Sequence, residues 1–144
     1  MIRKTLLVLL CAGGLNAHAA LDPLPVRQLA AEDSSQKVAA IRQLTQTADP
    51  DAARVLQAMA NDSLYLANGQ ALIIDGERAF DAASGKPVKT PADPESITVN
   101  NRIRGELANA LAALNLLDAD PAVRLASAQK LQNKAGAELA PLLN

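Results

Sequence analysis

Asn100, Asn101, Arg102 and Arg104 form the most distinctive polar cluster of this 144-residue chain. Two amides and two guanidiniums within five residues can grip carboxylates or exposed carbonyls, because a guanidinium presents paired N–H donors in the geometry a carboxylate accepts. The same residues also have a plain structural use. Asn100 can cap a following helix, and the arginines can pair with Glu106 and with carboxylates of a β-hairpin read earlier in the chain. Asp75, Glu77 and Asp81, with Asp93 and Glu95 further on, raise a second chemistry, that of a calcium loop. Their spacing does not follow the D-x-[DN]-x-[DN]-G pattern, and Asp75-Gly76 already reads as a turn. Nothing in the sequence places two carboxylates in one apolar pocket for hydrolytic work. Gly69, Gly76 and Gly85 read as turn glycines and form no phosphate loop.

Cys11 is the sole cysteine and His18 the sole histidine. Both fall in an N-terminal stretch that reads as an export signal over residues 1–19: Arg3-Lys4, an apolar run over 6–15, and Ala17-His18-Ala19 as an A-x-A cleavage site. Cys11 lies mid-way through the apolar run and follows Leu10, so cleavage after Ala19 is expected rather than lipidation. The mature part then has no thiol nucleophile, imidazole base or disulfide, and no soft zinc ligand. No catalytic residue, cofactor or metal is expected, and the chain reads as a non-enzyme. With Arg3 and Lys4 gone, 12 basic residues face 15 acidic ones, a net charge of −3. A mildly acidic domain whose aromatics are Tyr65 and Phe80 alone is a poor nucleic-acid binder. The apolar run at 6–15 is too short for a membrane span, which needs about 20 residues, and no later one is long enough.

The elements that must hold the polar cluster are mostly helical. Residues 29–56 and 116–143 match without a gap, 87 positions apart, at Leu29/Leu116, Asp33/Asp120, Ala39/Ala126, Leu44/Leu131, Ala48/Ala135, Ala53/Ala140 and Leu56/Leu143. Asp33, with Gln36 as a capping-box partner, starts a helix carrying Val38, Ile41, Leu44 and Ala48. Asp49-Pro50 and Asp120-Pro121 each read as an N-cap followed by proline at the first helical position. Helix pairs repeated in this way point to HEAT-like stacking, in which no unit buries its apolar face alone. The fold expected is therefore mainly α, with antiparallel helical hairpins and a small β insertion at about 63–90, in one domain over 20–144. Residues 64–67 and 70–74 flank Asn68-Gly69, a strong hairpin signal, and 79–81 and 87–89 can add short strands. Tyr65 and Phe80 are expected to pack this insertion onto the helices. Residues 91–94 read as a stiff linker. A helix over 101–117 follows, with a stripe at Ile103, Leu107, Leu111 and Leu114 and an Arg102–Glu106 pair facing solvent. Gly105 in its interior predicts a close approach by a neighbour. With 30 alanines and 23 leucines, the core is aliphatic.

The run ITVNNRIRGELANALAALNLLDADPAVRLASAQKL at 97–131, with Leu64-Tyr65 ahead of the hairpin, resembles the extracytoplasmic N-terminal region of the urea ABC transporter permease. That family belongs to the branched-chain amino-acid class of importers. The V-N-N-R-x-R segment followed by D-P-A-V-R-L-A carries the resemblance. It implies an accessory or docking role in a urea (or amide) uptake system, at the periplasmic face of the inner membrane. The implied partners are the permease membrane domain or the solute-binding protein, and no direct small-molecule ligand is expected. The family's translocation pathway lies in membrane helices that the 144 residues do not include, so no transport residue is carried over. The alternative is an independent exported HEAT-like adaptor for another protein. Mass spectrometry of the periplasmic fraction should find a mature N-terminus at Ala20; a cytoplasmic product retaining Met1, or one lipidated at Cys11, would contradict the export reading.

Overall fold

The computed structural model describes residues 20–139, so the stretch at 1–19 that reads as an export signal lies outside the described residues. Among the described residues five helices and five strands follow in chain order: α1 (Pro23–Gln28), α2 (Ser34–Gln46), α3 (Pro50–Ala60), β1 (Leu64–Ala67), β2 (Gln70–Asp75), β3 (Arg78–Asp81), β4 (Pro87–Val88), β5 (Glu95–Ser96), α4 (Asn101–Asn115) and α5 (Pro121–Leu139). Carboxylates start most of the helices. Asp33 accepts from the Ser35 amide at 2.7 Å, Asp49 from Asp51 at 2.8 Å and Asp120 from Ala122 at 2.8 Å. Both Asp-Pro starts read from the sequence are present. Asp22-Pro23 is a third, with Asp22 accepting from Leu24 at 2.9 Å.

The fold class read from the sequence is overturned. The architecture is mixed α/β, with a five-stranded antiparallel sheet in the order β4-β3-β2-β1-β5, and not a mainly α stack of HEAT-like repeats. Three observations account for the difference. First, the second copy of the repeat is not a helical hairpin, because α5 runs unbroken through the positions that match the α2–α3 turn. There Gly136-Ala137 stands where the first copy has Asp49-Pro50, so neither a cap nor a proline restarts the chain. An interior glycine costs about 1 kcal/mol, which weakens a helix without ending it. Second, α5 packs mainly on α4, so the stacking of one hairpin on the other does not form. Third, the sheet is a wall of the core and not an appendage. Leu64, Ala71 and Ala82 are buried in one cluster with Leu29, Ile41, Leu44, Leu56, Met59 and Ile103.

The strand signals hold well. Tyr65 pairs with Leu72 and Ala67 with Gln70 across Asn68-Gly69, whose φ angles of 51° and 74° are both positive, as a tight hairpin of the right twist demands. Phe80 pairs with Ile73 and Ala79 with Val88. Residues in register share a face, and the face alternates along a strand. Tyr65 and Leu72 therefore lie on the outer face, while Phe80 and Ile73 lie on the helix side. The expectation that both aromatics pack onto the helices is right for Phe80 and wrong for Tyr65.

The linker at 91–94 is a strap. It joins β4 at one edge of the sheet to β5 at the other, a distance of roughly 19 Å over four strand spacings. The chain between Val88 and Glu95 reaches at most roughly 23 Å, so it crosses nearly extended, which suits its prolines. Thr90 fastens it by donating its hydroxyl to the Glu77 carbonyl at 2.7 Å, and Pro91 and Ala92 line a hollow with Leu72 and Val88.

Helix α4 is central. Ser34 meets Asn100 at the N-terminal ends of α2 and α4, and Arg42 meets Glu106 further along, so the two helices run in parallel. Asp62, just beyond α3, meets Arg104 in the first turns of α4, so that pair is antiparallel. The buried stripe is Ile103, Leu107, Ala110 and Leu114, with Leu111 only partly buried. At 3.6 residues per turn, Leu111 stands roughly 80° round from Ile103, whereas Ala110 stands roughly 20° away. Glu106 pairs with Arg42 and not with Arg102. The approach expected at Gly105 is absent: the residue is exposed, with nothing within 4 Å of where a Cβ would stand.

Denaturant melts test this face. Leu107→Ala should cost about 2–5 kcal/mol and Leu111→Ala clearly less, while Gly105→Ala should gain about 0.5–1 kcal/mol. Equal losses at 107 and 111, or a loss at 105, would place the buried face elsewhere.

Candidate functional site

The N-terminal end of α4 carries the polar cluster, and the structure divides its members. Asn100 is the helix cap: its side-chain oxygen accepts from the Ile103 amide at 2.9 Å, with extended backbone at φ −83° and ψ 173°. Its amide nitrogen donates to the Ser34 hydroxyl at 3.0 Å, which holds the starts of α4 and α2 together. Arg104 reaches the Asp62 carboxylate at 3.4 Å, an exposed pair of small energetic weight. Asn101 and Arg102 are exposed, and Arg102 has no side-chain partner among the described residues. The four residues sit together on the first turns of one helix, but only two are left unengaged.

The acidic residues are scattered over turns and strap. Asp81 is half-buried and accepts both the amide and the hydroxyl of Ser84, at 2.7 and 2.6 Å, which closes the β3–β4 turn. Asp75 pairs with Arg78 at 3.4 Å. Among the described residues no group of three His, Cys, Asp or Glu side chains is placed to hold a metal ion. Arg54, a residue the sequence did not single out, holds α3 to the sheet. It pairs with Asp51 at 3.2 Å and donates to the Ala82 carbonyl at 3.1 Å.

Sequence reasoning also missed Lys37. It lies in the first turns of α2, only 5% exposed, and donates from Nζ to the Thr98 carbonyl at 2.6 Å. Burial away from water holds its pKa below the ordinary lysine value, since the charged form loses hydration. Lys37 lines a cavity of about 300 Å3 with Ser34, Leu66, Ser96, Thr98 and Asn100, and the exposed Glu32 and Glu95 also line it. A lysine at an apolar-stripe position, next to Val38 and one turn before Ile41, was the available signal. The sequence alone does not say which side of the stripe it joins.

No family model, curated protein or solved structure matches this chain.

The site is thus a ridge and a hollow side by side. Exposed Asn101 and Arg102 top the first turn of α4, while Lys37, Ser34 and Thr98 surround the cavity below, with Asn100 between them.

The pH dependence of stability reads out Lys37. A folded state that gives up this proton more readily leaves the unfolded chain binding more protons between the lowered value and the ordinary 10.5, so stability rises with pH across that window. Lys37→Met should flatten that rise in denaturant melts run at a series of alkaline pH values. A slope equal to that of the parent protein would show that Lys37 titrates as a solvated lysine.

Proposed function

We propose that this chain is a non-catalytic docking domain of a urea (or amide) importer, exported and acting at the periplasmic face of the inner membrane. It contacts the permease or its solute-binding protein and moves no substrate by itself. The observation that carries this reading is the division of the α4 cluster. Asn100 and Arg104 are engaged within the chain, while Asn101 and Arg102 stand exposed on a helix end fixed by the cap and by the Ser34 contact. A backbone already fixed in place loses little further freedom when a partner's carboxylate or carbonyl meets the side chains it carries, so the ordering cost is confined to those side chains. The V-N-N-R-x-R segment that carries the resemblance is this same stretch. Residues 20–144 hold no cysteine or histidine, which favours a contact role over nucleophilic or imidazole-based catalysis. Urea is neutral and compact, and a tight site for it needs convergent donors and acceptors in a closed cage.

Calorimetry of the chain against urea should give no saturable heat, and a pull-down with the cognate solute-binding protein and permease should retain one of them. Arg102→Ala should weaken that capture by more than 1 kcal/mol. Arg104→Ala should weaken it less, because its pair with Asp62 competes with the partner. Urea binding at millimolar affinity or tighter, with neither protein captured, would replace the docking reading by a ligand-binding one.

A further inference from the structure

We propose that the cavity between the N-terminal ends of α2 and α4 is a binding site for a small organic monocarboxylate, with the Lys37 ammonium as its counter-ion. The cavity measures about 300 Å3, at the lower end of the range in which proteins hold small molecules. Its lining includes an ammonium that forms no ion pair among the described residues. Lys37 is 95% removed from solvent, yet its sole partner among the described residues is the neutral Thr98 carbonyl. An ammonium has three donors and only one is used. A buried charge without a partner of opposite sign is costly, and a carboxylate beside it offsets that cost.

The surrounding groups favour the same ligand. The Ser34 hydroxyl accepts from Asn100 and keeps its own proton to donate. The parallel helices α2 and α4, of 13 and 15 residues, bring two positive helix ends to the same place. Leu66, with Ala30 and Ala31, supplies an apolar wall for an alkyl group. Glu32 and Glu95 line the same cavity and are exposed, so a multiply charged anion meets repulsion that a monoanion meets only in part. This replaces the sequence-based expectation of no small-molecule ligand. It is independent of the docking role: a neutral molecule such as urea can accept a hydrogen bond but cannot neutralise the Lys37 charge, and loss of partner capture would leave it standing.

The test titrates the full chain with sodium acetate, against sodium chloride at equal ionic strength, and follows backbone amide resonances. Acetate should give saturable shifts in the millimolar range, concentrated at residues 34–37 and 96–102. Lys37→Met should weaken acetate binding by at least about tenfold, and Lys130→Met, an exposed lysine on α5, should leave it unchanged. Inorganic phosphate at neutral pH should bind several-fold more weakly than acetate. Should Lys37→Met not fold, Ser34→Ala, which removes one donor, should still weaken acetate binding measurably. Shifts no larger than those with chloride, shifts spread over the surface, or acetate binding indifferent to Lys37 or to Ser34 would overturn the assignment. Phosphate binding as tight as acetate would overturn the monocarboxylate class.

Discussion

The apolar face of α4 is buried twice, against α2 and against α3, and the rest of the molecule is arranged around that insertion. Ile103 and Leu107 are almost completely enclosed, and Ala40, Ala52 and Ala110 lie among the buried residues where the helices meet. Small side chains at those positions let helix axes approach closely, and the whole core is aliphatic. Because α4 enters the α2–α3 groove itself, no face of that hairpin is left for a second hairpin to stack on. The final helix is left at the side of the structure, where Leu117 and Leu125 are 67% and 61% exposed.

The sheet follows from the same packing. Leu64, Ala71 and Ala82 complete the core on the side that the helices leave open. The outer face would then expose Tyr65, Leu72 and Ile74, and the proline-containing strap covers it. Its short length and the positions of the two edge strands dictate a nearly straight crossing. Since the strap ends at β5 and the chain then enters the cap of α4, sheet closure and helix placement are coupled. Lys37 reinforces that junction by holding the Thr98 carbonyl, the last stretch before the helix begins.

The polar chemistry of the molecule collects where this junction lies. Two parallel helices start side by side, a lysine is drawn beneath them, and the segment from β5 to α4 closes over it. An anion-attracting hollow and an exposed Asn101-Arg102 ridge are therefore consequences of one arrangement. Parallel neighbours put like helix ends together, whereas an antiparallel pair would have set a positive end against a negative one.

Local chemistry in the sequence determined the helix starts at Asp33, Asp49, Asn100 and Asp120 and the Asn68-Gly69 hairpin, and it marked 79–81 and 87–89 as further strands, which form as β3 and β4. These depend on neighbours within a few residues: a carboxylate reaching an amide two positions on, or a turn that only certain residues can take. Repetition in sequence did not determine repetition in structure. The match between residues 29–56 and 116–143 records similar helical faces, but the break between two helices needs its own cap and proline, and Gly136-Ala137 supplies neither. Tertiary structure alone decided that α4 lies parallel to α2, that Leu111 yields its place to Ala110, and that Gly105 faces open solvent. It also decided that Lys37, one charge beside an apolar stripe, ends 95% buried beside a cavity. Which flank of a stripe is covered depends on segments 60 residues away, and a single helical period carries no information about them.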